Sequence, residues 1–137
     1  MKLFFHGGAR WVTGANYLLE LDGPPAGGKI LVDCGLFQGR KYAEDLNYQP
    51  FPYQPSEIDF VLVTHSHIDH IGRLPKLYKE GFRGKVFATT ATRDLMAVAL
   101  PDNLQRIAEE ARQDGHPPLF AAEDVVGLLG LVEGVEY

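Results

Sequence analysis

Asp59-Phe60-Val61-Leu62-Val63-Thr64-His65-Ser66-His67-Ile68-Asp69-His70 is the stretch on which the reading of this chain turns. Its first half, 59–64, is a short, nearly continuous apolar run, which fits a strand covered on both faces. Its second half is abruptly polar and holds three of the five histidines. Ordinary residue frequencies would produce that pattern in on the order of one chain in ten thousand. Residues i and i+2 of an extended segment point the same way, so His65 and His67 can grip one ion. Past the strand end the chain turns, which lets Asp69 and His70 address a second position. Gly72 then permits the turn into the next helix. Neutral imidazole suits Zn2+, and also Fe, Mn or Ni, while a carboxylate adds charge neutralisation. Two ions roughly 3.5–4 Å apart can clamp a phosphoryl or carbonyl oxygen, and a bound water whose pKa falls toward about 7 makes hydroxide available. A closed structural zinc site would want four ligands around one ion, usually with cysteine; neighbours such as Asp69 and His70 fit that poorly.

Upstream of this stretch, residues 11–21 and 29–33 read as strands. Asp22-Gly23-Pro24-Pro25-Ala26-Gly27-Gly28 between them is dense in turn formers, giving a hairpin with a longish loop. Residues 34–57 read as irregular, interrupted by Pro50, Pro52 and Pro55. Downstream, Pro75 and Gly81 bracket a helix, and 85–88 is another strand candidate. Thr92 can cap a helix carrying Leu95, Met96, Val98, Ala99 and Leu100, which Pro101 stops. Asp102 and Gln105 open another, with Leu104, Ile107, Ala108 and Ala111 on one face and Gly115 at its close. A last helix covers 121–132. The order β-β-β-α-β-α-α-α predicts an α/β (α+β) mixed sheet with helices over one face. That leaves the second face bare. The chain also stops at Val135-Glu136-Tyr137 without a terminating pattern, so a fragment of a longer protein, or a subunit completed by a partner, is expected.

The length, 137 residues, suits one small domain. Eight Phe, six Tyr and one Trp argue against disorder. No apolar run approaches the roughly 20 residues of a membrane span. A lone Cys34 and the lack of a secretory leader make a cytoplasmic location the expectation. The net charge of −5 does not suggest a nucleic-acid binder, but residues 1–101 carry 11 Lys/Arg against 10 Asp/Glu, whereas 102–137 carry 2 against 8. Within 71–93, Arg73, Lys76, Lys79, Arg83, Lys85 and Arg93 face one acid, Glu80. That window is either a solvated helix face or a basic rim for an anionic substrate, with Arg73 and Lys76 as candidate substrate contacts. Of the remaining histidines, His6 precedes a glycine pair and His116 sits in a turn expected to be exposed; neither is a convincing ligand. Asp33, at a strand end, reads as a turn-capping carboxylate.

His65-Ser66-His67-Ile68-Asp69-His70 matches the H-x-H-x-D-H motif, and the chain resembles the metallo-β-lactamase superfamily. Gly7-Gly8-Ala9-Arg10-Trp11-Val12-Thr13-Gly14-Ala15-Asn16-Tyr17-Leu18-Leu19 and Leu31-Val32-Asp33-Cys34-Gly35-Leu36-Phe37-Gln38-Gly39 are similar to segments of its β-CASP nuclease branch, the relatives of the cleavage and polyadenylation specificity factor nuclease and of prokaryotic RNA-processing exonucleases. Thr90-Ala91-Thr92-Arg93-Asp94-Leu95 and Asp102-Asn103-Leu104-Gln105 have counterparts there too. The resemblance implies that residues 1–137 form the N-terminal half of an αββα sandwich, with the remainder and the β-CASP insertion absent. It implies that His65 and His67 bind a first metal and Asp69 and His70 a second, the latter pair serving as the catalytic candidates, with Asp33 in support. The implied cofactor is Zn2+, two ions in the complete protein, with Mn2+ or Fe as alternatives. The implied activity is hydrolysis of RNA phosphodiester bonds by metal-bound hydroxide, with DNA as an alternative substrate. Hydrolysis of thioesters, lactones or small phosphoesters is the competing enzymatic reading. An inactive module that needs a complementing chain or a second copy is the non-enzymatic one. No membrane partner is expected. Ala15 stands where the family often has Ser.

Overall fold

A computed structural model describes residues 1–23, 27–39 and 41–136. Three antiparallel strands come first: β1 (Lys2–Gly7), β2 (Asn16–Glu20) and β3 (Lys29–Val32). β4 (Phe60–Leu62), β5 (Lys85–Thr89) and β6 (Val132–Val135) then add in parallel, giving a six-stranded mixed sheet in sequence order. Between them lie the short α1 (Lys41–Glu44), α2 (Ile68–Ile71) and α3 (Leu74–Lys79), the long α4 (Thr90–Gln113) and α5 (Ala122–Leu129). Among the described residues, no helix is long and apolar enough to cross a membrane.

The register explains the core. Leu18, Leu31, Val61 and Val86 are paired across β2 to β5 and point to one face, where each is at most 2% exposed. Ile71, Leu74, Leu77, Met96, Leu100, Ile107, Val125 and Leu128 pack on them from the helices. The alternate positions point the other way. Leu3, Phe5 and Leu62 are 51%, 59% and 40% exposed, so the open second face is real and β4 is covered on one side only. The apolar run 59–64 therefore marks a strand with a buried face and an open apolar face.

Four local expectations are corrected. β1 was not foreseen, although Leu3-Phe4-Phe5 has the aromatic content of a strand. The helix begins at Thr90, capped by Thr89, whose hydroxyl accepts from the Thr92 amide at 3.2 Å. Pro101 does not stop it: α4 runs through, because Leu100 and Ile107, on either side, are both buried in the core. The Asn103 amide donates to the Ala99 carbonyl at 2.8 Å close to the proline. Finally, the last helix ends at Leu129 rather than at 132, and Val132–Val135, for which no strand was expected, pairs with β5 from Val86↔Val132 to Thr89↔Val135. The hairpin of β2 and β3 is as expected, with Glu20 opposite Lys29, although Pro24, Pro25 and Ala26 of its turn lie outside the described residues, as does Tyr137.

Candidate metal centre

The site lies where strands end. Gly7 pairs with Asn16, Tyr17 with Val32, and Val32 with Leu62, so the end of β1, the start of β2 and the ends of β3 and β4 share one edge of the sheet. Asp33 and His65 leave that edge side by side. Two segments interlock there: Cys34 N donates to His70 O at 2.8 Å, Leu36 N to Ile68 O at 3.1 Å and Arg73 N to Cys34 O at 2.8 Å. Ala15 N donates to Asp69 O at 2.9 Å, tying in the start of β2. Gly35 is required by this contact, because a Cβ there would stand 1.6 Å from Asp69 O. Gly72 has φ −67°, so no glycine-only conformation is needed for the turn. Its missing side chain instead makes room, since a Cβ would meet Ile68 O and Leu36 at 2.6 Å.

Three imidazoles converge on the rim. The ring centroids of His65 and His70 are 4.0 Å apart and those of His65 and His67 4.7 Å. Their protons are assigned by the surrounding hydrogen bonds. Asp33, 1% exposed, accepts from Thr64 N and Thr64 Oγ1, each at 2.8 Å. Its Oδ2 also lies 2.8 Å from His70 Nδ1, so that nitrogen carries a proton and donates. His70 Nε2 is left with its lone pair, 3.6 Å from Asp69 Oδ2. Thr64 Oγ1, its proton committed to Asp33, lies 3.0 Å from His65 Nδ1 and accepts from it. His65 Nε2 is therefore also unprotonated, and it faces His67 Nδ1 at 3.2 Å. Burial, followed by the nearby imidazoles of His70 and His67, lowers the His65 pKa and keeps the ring neutral.

This donor set fits a divalent transition metal. Two nitrogens bound to one tetrahedral zinc at about 2.0–2.1 Å stand about 3.3 Å apart, close to the separation of His65 Nε2 and His67 Nδ1. The Asp33–His70 bond is the carboxylate–imidazole contact that orients metal-ligating histidines. Among the described residues, the donors meet in pairs and no three or more His, Cys, Asp or Glu groups close into a cage.

His65, His67, Asp69, His70 and Asp33 are thus brought together. Arg73 and Lys76 are not substrate contacts in this structure. They are 5% and 4% exposed, with Arg73 Nε donating to Gly35 O at 2.5 Å and Lys76 Nζ to Asn47 O at 2.9 Å and to Gln49 O. Phe37 and Phe51 flank the guanidinium, and Phe51 the ammonium. The basic window does not form one rim either: Lys85 opens β5 at the sheet edge away from the imidazoles and pairs with Glu133. His6 packs on Tyr53 at 5.3 Å, and His116, half-buried rather than exposed, stacks on Tyr48 at 3.9 Å and lies 3.4 Å from Asp45. Thr64 was missed; its one sequence signal is a hydroxyl placed between an apolar strand and the first histidine.

The profile of the Metallo-beta-lactamase superfamily matches residues 9–127. A ribonuclease of Thermus thermophilus is 46% identical over 138 aligned positions, covering all of this chain and 28% of that protein. The transcription termination factor FttA of Methanosarcina mazei is 38% identical over 78% of this chain and 16% of its own length. The endoribonuclease ysh1 of Aspergillus fumigatus is 28% identical over 96% of this chain and 15% of its own. The chain therefore spans less than a third of each of these relatives.

Proposed function

Since this chain belongs to the metallo-β-lactamase superfamily, we propose that it is the metal-binding part of a divalent-metal-dependent ribonuclease of the β-CASP branch. The observation that carries the reading is the convergence of three imidazoles, two of them with tautomers set by hydrogen bonds: His65 Nε2 stands 3.2 Å from His67 Nδ1, and Asp33 leaves His70 Nε2 as that ring's free nitrogen. His65 and His67 would hold one ion and Asp69 and His70 a second, zinc being the ion that the donor set suits best, with Mn2+ or Fe as alternatives. Bound there, such ions polarise a phosphoryl oxygen and activate water. The chain's own residues do the positioning. Asp33 keeps the proton on His70 Nδ1, Thr64 keeps it on His65 Nδ1, and Ala15 N holds the backbone of Asp69. Asp69, 22% exposed at its side chain, would orient the attacking water.

Residues 1–137 would supply one half of a sandwich whose other half covers the open sheet face. A complementing chain or a second copy is the alternative cover. The fully buried, free Cys34, its thiol pKa pushed up to about 11 by burial, accords with a cytoplasmic setting. RNA is the substrate that the names of the relatives favour. Cleavage of single-stranded RNA and DNA by the complete protein, with Zn2+ or Mn2+ and against a His67→Ala control, tests the reading. Metal-dependent RNA cleavage that is lost in the control is expected; equal turnover by both proteins refutes it.

A further inference from the structure

The loop between β1 and β2 carries an arrangement that hydrolysis does not use. Trp11, the only tryptophan of the chain, is 38% exposed there, and Val12 is 97% exposed. The Trp11 ring meets Tyr42 of α1 with centroids 5.4 Å apart and planes tilted by 58°, and Tyr42 is itself 54% exposed. Arg10, Val12, Gln38 and the two rings line an open cleft of about 500 Å³. Among the described residues that line it, Arg10 is the only charged one.

The loop that lines the cleft runs on to the backbone of the candidate metal centre. The loop springs from the sheet edge that Asp33 and His65 leave. Thr13 Oγ1 accepts from Gln38 N at 2.9 Å, and Ala15 N donates to Asp69 O at 2.9 Å. Ala15 follows Trp11 by four positions, a reach of at most about 14 Å of chain. Two exposed aromatic faces and one cation lining the cleft, with the nearby Glu44 carboxylate held on Gly39 N at 3.1 Å, make the chemistry of a single-stranded nucleic-acid contact: bases stack on rings and the guanidinium meets phosphate.

We propose that Trp11 and Tyr42 form a stacking platform for an unpaired base of the RNA substrate, with Arg10 on an adjoining phosphate. This rests on the ribonuclease reading and assigns that site a substrate contact. A partner protein would use such a surface differently, with no dependence on oligonucleotide.

Binding of a short fluorescein-labelled oligoadenylate to the complete protein, followed by anisotropy in EDTA so that nothing is cleaved, is the test. Trp11→Ala and Tyr42→Ala are each expected to weaken binding roughly five- to hundred-fold without altering its salt dependence. Trp11→Phe should recover most of the affinity, which a merely structural role for the indole would not produce. Arg10→Gln should lower the salt slope by about 0.7. Circular dichroism of each variant confirms the fold. Undiminished affinity in both alanine variants overturns the platform, as does a change in oligomeric state with oligonucleotide binding intact. If the complete protein cleaves RNA while both variants keep their kcat/KM, the platform fails and the ribonuclease reading stands. If oligoadenylate binding depends on Trp11 but no metal supports cleavage, the ribonuclease reading fails and the platform stands.

Discussion

Asp33 sits at φ 58°, a left-handed conformation that costs a non-glycine residue of order 1–2 kcal/mol. The hydrogen bonds it accepts from Thr64 N, Thr64 Oγ1 and His70 Nδ1 offset that cost, and they also decide which nitrogens are free. Asn tolerates the same conformation and has the same size, but its amide no longer forces the proton onto His70 Nδ1. Asp33→Asn should therefore fold and bind divalent metal about 10–100-fold more weakly, read by equilibrium dialysis with elemental analysis. Affinity equal to the parent would show that His70 is oriented by something else. His6 offers a second residue-scale test. Its Nε2 is buried without a partner among the described residues, and burial, then the Arg73 charge, lowers its pKa from 6.5. Between that lowered value and 6.5 the unfolded chain binds more protons than the folded one, so stability falls as pH falls through the window. The thermal midpoint of His6→Phe should drop less steeply from pH 7 to pH 5 than that of the parent; equal slopes would remove His6 from the account. At this scale the convergence of His65, His67, Asp69 and His70 was legible, because alternation and the turn dictate where they point. The fates of Arg73 and Lys76 were not. Charge in a sequence does not reveal that backbone carbonyls such as Gly35 O and Asn47 O will take a cation inside.

At the scale of elements, the centre depends on two backbone segments touching, 33–36 against 68–73, more than on any helix. The site therefore tolerates little added volume at the contact. Gly35→Ala would drive a methyl into Asp69 O and should cost at least about 1–3 kcal/mol of stability, with metal affinity falling in parallel. Chemical denaturation and metal titration of the variant check both; a loss confined to affinity would mean that the segments separate without unfolding. The long helix makes the opposite case. Pro101 removes one backbone donor from the interior of α4, and its surface is exposed. Pro101→Ala should stabilise the chain by up to about 3 kcal/mol in urea unfolding, and no change would mean that α4 already relieves the proline locally. The β2–β3 hairpin and the strands at β4 and β5 could be read from turn formers and apolar runs. The unbroken α4 could not: local propensity argues for a stop at Pro101, and only the core contacts of Leu100 and Ile107 on either side override it. Residues 132–135 were equally opaque, because their partner β5 lies 46 positions upstream in the register that joins Val86 to Val132 rather than in local sequence.

For the molecule as a whole, the unequal faces of the sheet decide its behaviour. Phe5 sits edge-on to Tyr17 at 5.7 Å, Phe60 edge-on to Phe87 at 5.8 Å, and Leu3, Leu62 and Val135 lie on the same side, so the bare face is largely apolar, interrupted at β5 and β6 by the Lys85–Glu133 pair. A contiguous apolar surface of this kind is a contact surface in a stable protein and an aggregation hazard without its cover. The 137-residue chain taken alone should thus bind an apolar dye such as ANS and self-associate at micromolar concentration, as followed by light scattering after size exclusion. Phe5→Lys combined with Leu62→Lys places two charges on that face at positions 59% and 40% exposed, where substitution disturbs little of the core. The double variant should return to a dye-silent monomer with its far-ultraviolet dichroism unchanged. If the unaltered chain is already such a monomer, the open face needs no cover, and the half-sandwich reading of residues 1–137 loses its physical ground.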